Sequence, residues 1–255
     1  MNDAKAVSLA LSETAVGDAA VPRLELTQWA ERYGVVAGIT LRPVSLGLWS
    51  EEPVGQVMGR WRAFRSTFAN RFPTIVLSHQ VHGTEVRWHE GLPEGWLILD
   101  GIDGHATRQP GVLLTVTIAD CIPIYLAAPR SGVIALIHAG WRGAAGGVLA
   151  RSIDLLRRRG SVKESEIIMH CGVGICGECY EVGPEVAERF DKTHDHGPVR
   201  LDLRAALTKQ ARELGIEDVS ISPWCSAEGR DRFFSHRASR GRDGRMVAYV
   251  GRPIG

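Results

Sequence analysis

The chain has 255 residues, of which 44% are hydrophobic and 23% are charged, and its formal net charge is +1. This is ordinary globular composition, with enough residues for one large domain or two small ones and for a sizeable core. Such a balance implies no basic face, so nucleic acid is not the default partner.

The sequence predicts a cytoplasmic protein. The most apolar segment, residues 111–128, contains Asp120 and Pro123, and it therefore predicts two buried strands and a turn, not a membrane span. Residues 1–20 lack a basic region followed by a long apolar stretch, so no signal peptide is predicted. The odd number of cysteines, five, suits free thiols. We expect a monomer or a small homo-oligomer.

The N-terminal third predicts a loose tail, a helix and strands. Residues 1–22 are small and polar without clear periodicity, so we expect a flexible tail followed by one domain over residues 23–255. Apolar residues at spacings of three and four predict an amphipathic helix over residues 54–68. The β-rich stretch 74–89 predicts one strand, or two strands with a kink at Gly83.

The remaining chain mixes strands and helices. Residues 111–128 and 132–141 are apolar runs of strand length, joined by a turn. After them the sequence predicts, in order, a helix ending at Gly160, a helix beginning at Pro184, a helix capped by Asp202 and ended by Gly215, and a final strand over residues 245–251. Because the elements do not alternate strictly, the predicted fold is α+β, with mixed sheets flanked by helices.

Three side chains interrupt or end apolar β-like runs: His82 in SHQVHG, Cys121 in IADCIPI and His138 in LIHAGWRG. They are far apart along the chain, so they form a site only if three strand ends converge. Two imidazoles and one thiolate suit Zn²⁺, and three protein ligands leave a fourth position for water or substrate, as in catalytic sites. The alternative is a core cysteine with two hydrogen-bonded histidines.

The same side chains also allow a cysteine-dependent mechanism. Cys121 would be the thiolate nucleophile and His138 its base, with Asp120 or His82 orienting that base. Local signatures of papain-like and caspase-like proteases are absent, so this hypothesis depends on the proximity of the two side chains.

The glycine-rich stretch HAGWRGAAGG follows the strand that contains His138. Its glycines allow the backbone to approach a ligand closely, and a helix beginning at Val148 would offer unpaired N–H groups to an anion. Arg142 adds a bidentate donor suited to phosphate or carboxylate, and Trp141 either stacks on a flat ring or packs. The structural alternative for the glycines is a tight strand-to-helix turn.

A second cysteine-rich stretch, HCGVGICGECYEVG, holds Cys171, Cys176 and Cys179 in the spacing of plant-type ferredoxins, with Cys225 as a candidate fourth ligand. The surrounding pattern lacks the other features of that fold. We therefore interpret the stretch as a glycine-rich loop that lines a cleft, with Tyr180 at its edge.

The C-terminal region is rich in arginine, which is typical of a solvated loop. Arg237, which follows Phe233 and Phe234, is the residue there that we expect to reach an anion. The dinucleotide-binding, P-loop and cytidine-deaminase signatures do not occur, which argues against those three classes of site.

Several of these motifs occur together in one family. QVHGTEV, ADCIPI, HAGWRGAAGG, the loop ending in YEVGPEV, and FFSHR with GRM stand in the order of the laccase-domain, or polyphenol-oxidase-like, family. The chain resembles that family from about residue 34 to its C-terminus. Its bacterial members are also called purine nucleoside phosphorylases and a peptidoglycan editing factor.

The resemblance implies a cytosolic single domain of the cysteine-hydrolase-like fold type, with one zinc ion held by His82, Cys121 and His138. It implies phosphorolysis of adenosine, inosine, guanosine and methylthioadenosine, with adenosine deamination beside it. The residues expected to act in catalysis are Asp120, Cys121 and Arg142. Those expected to bind substrate are Arg142, Gly143, Tyr180 and Arg237.

Two other activities remain as alternatives. Copper-dependent phenol oxidation is also attributed to the family, and Cu²⁺ outcompetes Zn²⁺ at most sites built from nitrogen and sulfur. Multicopper chemistry, however, requires many more histidines in paired patterns. The other alternative is a cysteine-type amidohydrolase that edits cell-wall precursors.

The chain departs from the family pattern outside the three metal ligands. CGVGICGECYEVG stands where IGPAIGPCCYEVG is usual, Cys225-Ser226 where members carry CT, and Gly59-Arg60 where Asn-Arg is common. The departures therefore bear on substrate contacts more than on the metal.

Overall fold

The computed structural model describes residues 13–17, 20–190 and 199–255. The helices are Thr27–Tyr33 (α1), Val54–Phe68 (α2), Trp141–Ala145 (α3), Val148–Gly160 (α4), Pro184–Ala187 (α5), Leu203–Glu213 (α6) and His236–Ser239 (α7), with 3₁₀ turns at Glu164–Glu166 and Glu188–Phe190. The strands are Thr14–Val16 (β1), Arg23–Glu25 (β2), Val36–Thr40 (β3), Thr74–His79 (β4), Val86–His89 (β5), Gly95–Asp100 (β6), Gly104–Thr107 (β7), Val112–Ile118 (β8), Ile122–Ala128 (β9), Val133–Ala139 (β10), Ile168–Cys171 (β11), Glu181–Val182 (β12), Val199–Arg200 (β13), Asp218–Ile221 (β14) and Met246–Gly251 (β15).

The strands form two large sheets and a two-stranded ribbon of β12 and β13. The first sheet has the order β1-β2-β3-β15-β8-β4-β6, and the second has the order β14-β11-β9-β10-β7-β5. Both sheets mix antiparallel pairs with parallel ones, such as β4 with β6 and β5 with β7. The prediction of an α+β domain with mixed sheets and flanking helices is therefore confirmed.

The two sheets pack face to face, and helices cover both outer faces. Leu114 of β8 and Leu136 of β10 belong to the core between the sheets. On the far side of the first sheet, Leu113 packs with Trp61 of α2, and on the far side of the second sheet a cluster includes Leu149 of α4. Because the central strands are buried on both faces, their sequences are continuous apolar runs.

The longer predicted helices are confirmed. Helix α2 spans the predicted residues and α4 ends at Gly160 as predicted, whereas the helix that begins at Pro184 has only four α-helical residues before a 3₁₀ turn. The Asp202 carboxylate caps α6 by accepting a hydrogen bond from the Ala205 backbone N–H at 3.0 Å. The stretch 74–89 forms two strands that belong to different sheets, β4 and β5, so the two-strand alternative is right.

Two local predictions differ from the structure. Within the predicted tail, residues 1–22, Thr14–Val16 pair antiparallel with β2, so this part is an edge strand; residues 1–12 and 18–19 lie outside the described residues. The glycine-rich stretch after His138 is largely helical, since Trp141–Ala145 form α3. No helix in the described ranges is long and apolar enough to cross a membrane.

Candidate functional site

The three predicted metal ligands meet where the two sheets join. His82 lies in the loop after β4, Cys121 in the turn that carries the chain from β8 in the first sheet to β9 in the second, and His138 near the end of β10. Their ligand atoms all lie within 4.8 Å of one another. The strand ends thus converge, which the sequence hypothesis required.

Asp103, just before β7, holds the loop that carries His82. The backbone N–H groups of Val81, His82 and Gly83 all donate to its carboxylate, at 3.2, 3.0 and 2.7 Å. His82 itself has a left-handed backbone, with φ of 59°. Such a conformation is unfavourable for a residue with a side chain, and the three hydrogen bonds to one buried carboxylate stabilise it.

The same carboxylate orients the second imidazole. Nδ1 of His138 lies 2.8 Å from Oδ1 of Asp103, and the His138 backbone N–H donates to the Asp103 carbonyl at 2.7 Å. A metal ion at the cluster would displace the proton from Nε2 of His138 while Asp103 keeps the one on Nδ1, which is the usual arrangement behind a metal-binding histidine. The hypothesis that Asp120 or His82 orients His138 is therefore wrong.

Sequence reasoning missed Asp103. In LILDGIDGHAT it is one of two acidic residues near glycines, and nothing local distinguishes it from Asp100. Its complete burial, which marks it out because a buried carboxylate is rare unless it is paired, is known only from the structure.

The cluster is a thiolate–imidazolium pair. Burial alone would raise the pKa of Cys121 and lower that of His138. The attraction between the two charges, with hydrogen bonds from both imidazoles to the sulfur, reverses this and lowers the pKa of Cys121 to about 6. The pKa of His138 rises to about 9, because Cys121 and Asp103 both stabilise its charge. The sulfur is thus a thiolate at neutral pH, the form that binds metals and attacks electrophiles.

Two glycines allow α3 to lie against the ligands. A Cβ atom on Gly140 would lie 3.0 Å from Cδ2 of His82 and 3.1 Å from Sγ of Cys121. A Cβ atom on Gly143 would lie 2.8 Å from the Gly83 carbonyl oxygen. Gly143, a predicted substrate-binding residue, is buried in α3 at this contact. Close packing is thus the observed role of both glycines.

Arg142 is exposed on α3 beside the cluster. Its guanidinium lies over the Trp141 ring, with Cζ 4.5 Å from the ring centroid. Stacking on a ring leaves the in-plane N–H donors of a guanidinium available for an anion. Trp141 itself packs, partly buried, against the small cluster around Val182.

Arg237 and Tyr180 form a second pair of this kind. Cζ of Arg237 lies 5.1 Å from the Tyr180 ring centroid, and its Nη1 donates to the Glu181 carbonyl at 2.6 Å. Burial raises the pKa of Tyr180 to about 12, and the charges of Cys121 and Asp120 act in the same direction. Because the Arg237 backbone N–H donates to Asp120, the residue before Cys121, this pair belongs to a segment that adjoins the cluster.

Both carboxylate oxygens of Asp120 accept a hydrogen bond. Its Oδ1 accepts from the Ser226 hydroxyl at 2.6 Å, and its Oδ2 accepts from the Arg237 backbone N–H at 2.6 Å. Its backbone is left-handed, with φ of 83°, directly before Cys121. Its carboxylate thus ties the Cys121 turn to the segment that carries Arg237.

Fold and site together define an α+β protein that carries a Cys-His₂ cluster at the junction of two mixed sheets. The family described as multi-copper polyphenol oxidoreductase laccase matches residues 29–253, and the chain belongs to this family.

Named relatives agree with that membership. The chain is 31% identical over 248 residues to purine nucleoside phosphorylase YlmD of Geobacillus stearothermophilus, which covers 86% of this chain and 90% of that protein. It is 36% identical over 208 residues to a purine nucleoside phosphorylase of Deinococcus radiodurans, covering 79% and 78%. Adenosine deaminase RL5, from an unknown prokaryotic organism, is 34% identical over 182 residues, covering 64% and 69%. The crystal structure of YlmD matches with a TM-score of 0.86 at 28% identity, covering 95% of this chain and all (100%) of that one.

Proposed function

We propose that this protein is a zinc-dependent purine nucleoside phosphorylase acting on adenosine, inosine, guanosine and methylthioadenosine, and that the same site deaminates adenosine. The observation that carries the proposal is the convergence of His82, Cys121 and His138, with Asp103 behind His138. The names of the relatives support the substrate class.

The residues of the cluster fit zinc. One thiolate and two imidazoles are ligands that Zn²⁺ prefers, and three protein ligands leave a position for catalysis. The Asp103 carboxylate supplies the supporting hydrogen bond that zinc-binding histidines usually have. When bound, zinc supplies a Lewis acid that polarises the substrate or activates water for attack. Copper binding at the same ligands is the alternative that the family description raises.

The arginines supply the phosphate site in this proposal. Phosphate attacks the anomeric carbon of the nucleoside while the bond from that carbon to the purine breaks, so the enzyme must hold an anion close to a sugar that gains positive charge. Arg142 and Arg237 each rest on an aromatic ring, which fixes the plane of the guanidinium and reduces the entropy lost when phosphate binds. Arg142 is exposed, and among the described residues no carboxylate forms an ion pair with it.

Asp120 has a positioning role in this proposal. Because both carboxylate oxygens already accept short hydrogen bonds, from Ser226 and Arg237, the carboxylate is fixed in place and holds the Cys121 turn. The proton for the departing purine therefore comes from another group. A cytoplasmic location also belongs to the proposal, since all five cysteines are free thiols and these persist in a reducing compartment.

A cysteine-type amidohydrolase acting on cell-wall precursors is the second candidate. One observation favours it: Cys121, His138 and Asp103 stand in the order of nucleophile, base and orienting carboxylate. Such an enzyme would be blocked by a thiol alkylator and would be indifferent to chelation of zinc.

The test pairs metal analysis with an assay for phosphate-dependent release of adenine or hypoxanthine. We expect His138→Ala to lower both metal content and turnover, whereas His79→Gln, a half-exposed histidine outside the cluster, retains both. Wild-type turnover in a zinc-free preparation would contradict the proposal. Chelator-insensitive amide hydrolysis that is lost on alkylation would favour the second candidate instead.

A further inference from the structure

A second cluster of metal-binding side chains lies in the cysteine-rich loop. The sulfur atoms of Cys176, Cys179 and Cys225 and a carboxylate oxygen of Glu228 all lie within 4.8 Å of one another. Cys171, which completes the ferredoxin-like spacing in the sequence, is instead buried in β11 with the core beneath the second sheet. The iron–sulfur spacing is therefore accidental, but three of its four candidate ligands do assemble.

The distances within this cluster suit a tetrahedral zinc site. The Cys176 and Cys179 sulfur atoms lie 3.8 and 3.6 Å from the same oxygen of Glu228. Zinc–sulfur bonds of about 2.3 Å and zinc–oxygen bonds of about 2.1 Å at the tetrahedral angle place sulfur and oxygen about 3.6 Å apart. A single ion can therefore bind all four side chains with small movements.

The backbone around the cluster is already organised for metal binding. The Cys176 N–H donates to the Cys225 sulfur at 3.3 Å, and the backbone N–H groups of Ala227 and Glu228 donate to the same sulfur. Within the Cys-x-x-Cys turn, the Cys179 N–H donates to the Cys176 carbonyl at 3.2 Å. Donors of this kind stabilise a thiolate in the place where an ion needs it.

The two segments of the cluster are also joined independently of any ion. Gly174 forms a parallel bridge with Cys225, and the Ser226 N–H donates to the Gly174 carbonyl at 3.0 Å. A surface pocket lined by Cys176, Gly177, Glu178, Arg200 and Asp202 opens beside the cluster and gives an ion a path from solvent.

We propose that Cys176, Cys179, Cys225 and Glu228 bind one zinc ion as a structural site, separate from the cluster of His82, Cys121 and His138. Four protein ligands close the coordination shell, which is the arrangement of structural zinc sites, whereas the three-ligand cluster leaves a position open. Three thiolates select zinc over the hard cations magnesium and calcium.

This zinc would join the loop of residues 176–179 to the segment that carries Cys225, and both segments border the cluster of His82, Cys121 and His138. The loop from Cys176 continues directly into Tyr180, and Ser226, next to Cys225, donates to Asp120. If the phosphorylase proposal holds, loss of the structural zinc should raise KM for the nucleoside more than it lowers kcat. The metal site itself does not depend on that proposal.

The experiment measures zinc per chain in purified variants of the full protein by inductively coupled plasma mass spectrometry. We expect about two zinc ions in the wild type, about one in Cys179→Ser, about one in His138→Ala and none in the double variant. Cys171→Ala, which removes a thiol outside the cluster, should retain both. A variant series in which Cys179→Ser keeps the wild-type zinc content, including one in which only His138→Ala loses zinc, would overturn the proposal.

Cobalt substitution identifies the ligands without an activity assay. Co²⁺ bound by three thiolates gives sulfur-to-metal charge-transfer absorption in the near ultraviolet and intense tetrahedral d–d bands. We expect His138→Ala to keep the strong charge-transfer absorption of three thiolates, and Cys179→Ser to keep only the weaker absorption of the single Cys121 thiolate. Should Cys179→Ser fail to fold, Glu228→Gln keeps all three thiols, and we expect it to release zinc to a chelator at least tenfold more readily. Unchanged release, or a disulfide within the cluster in freshly purified protein, would contradict the proposed site.

Discussion

Asp103 accepts a hydrogen bond from Nδ1 of His138 at 2.8 Å, and both side chains are buried. Because the same carboxylate also accepts from the backbone of the His82 loop, one side chain positions both imidazole ligands. These hydrogen bonds and the charge of His138 outweigh burial and lower the pKa of Asp103, so it remains an anion. The two histidines, which arise from different sheets, are thus coupled through one carboxylate outside the candidate ligand set.

Asp103→Asn should weaken zinc binding without removing a ligand. The amide keeps the shape of the carboxylate but loses its charge, and its NH₂ group must face donors at one of the two oxygen positions, either His138 or the N–H groups of Val81 and Gly83. We expect a 10- to 100-fold loss of zinc affinity, about the effect of removing such a partner in other zinc proteins. Competition with a chromophoric chelator measures the zinc affinity of each variant. Asp100→Asn, with a side chain that is 87% exposed, is the control, and equal affinities in the two variants would contradict the positioning role.

Gly140→Ala should disrupt the cluster by steric contact. Its Cβ atom would lie 3.0 Å from the His82 ring and 3.1 Å from the Cys121 sulfur, closer than almost all real contacts. We expect lower metal content and at least tenfold lower turnover, with the fold retained in circular dichroism. Gly59→Ala, in helix α2 with no atom nearer than 3.9 Å, is the matched control. Gly59→Ala should raise the free energy of unfolding by about 0.5–1 kcal/mol through helix propensity alone. An equal loss of metal in Gly59→Ala and Gly140→Ala would refute the steric argument.

Much of the fold and the three candidate ligands could be predicted from the sequence. The central strands are buried on both faces, so β8, β9 and β10 appear as long apolar runs, and polar residues stand out where those runs end. His82, Cys121 and His138 were found by this contrast, and the tertiary structure converts three interruptions into one cluster.

What the sequence did not reveal depends on contacts between distant segments. Asp103 looks like an ordinary turn residue until its burial beside His138 is known. The sequence did not predict a helix over residues 141–145, which form α3, and the close approach of Gly143 to the Gly83 carbonyl is a contact that no local pattern shows. The partnership of Glu228 with Cys225 and the Cys176 turn joins two segments with no shared local pattern.

Arg142→Ala should weaken phosphate binding without changing the metal content. The guanidinium is exposed beside the cluster and is held only by stacking on Trp141, so its removal costs little stability. We expect at least a tenfold higher KM for phosphate at unchanged zinc content, because a bidentate charge-assisted contact contributes about 1.5–3 kcal/mol. Arg151→Ala, which removes an exposed arginine with a partner at 3.8 Å, is the control. Unchanged phosphate kinetics in Arg142→Ala would remove this residue from the anion site.

Two buried histidines should make the protein less stable in mild acid. Nε2 of His89 lies 3.1 Å from Nδ1 of His105, whose Nε2 lies 3.1 Å from the Ser78 hydroxyl. Burial, with the like charge of Arg87, lowers the pKa of His89 to about 4, and burial, with the charge of His89, lowers that of His105 to about 3. Both rings are neutral in the folded state, whereas the unfolded chain takes up their protons below pH 6.5, the ordinary value. The unfolded state therefore binds more protons, and stability falls as the pH drops from 6.5 towards 4.

Urea unfolding at pH 7 and pH 5 measures this effect. We expect the two histidines to account for a loss of about 2–4 kcal/mol between these pH values. His105→Gln keeps a donor and an acceptor but cannot titrate, so its loss should be smaller than that of the wild type. His236→Gln, an exposed histidine of α7, should retain the full wild-type slope. If the slope of His105→Gln equals that of the wild type, another group is responsible.

Alkylation of Cys121 distinguishes a metal ligand from a nucleophile. In protein stripped of metal, the pKa of about 6 predicts that the rate of reaction with iodoacetamide rises through pH 6 and is nearly constant above pH 7, since the thiolate reacts. Burial raises the pKa of Cys171 to about 12, so that thiol is an internal control that stays unmodified, and peptide mass spectrometry separates the two. Added zinc should slow the labelling of Cys121 at least tenfold, because the metal occupies the lone pair that would attack. Labelling that zinc does not slow would mean that the sulfur is free in the working enzyme, and the order of Cys121, His138 and Asp103 would then favour the amidohydrolase.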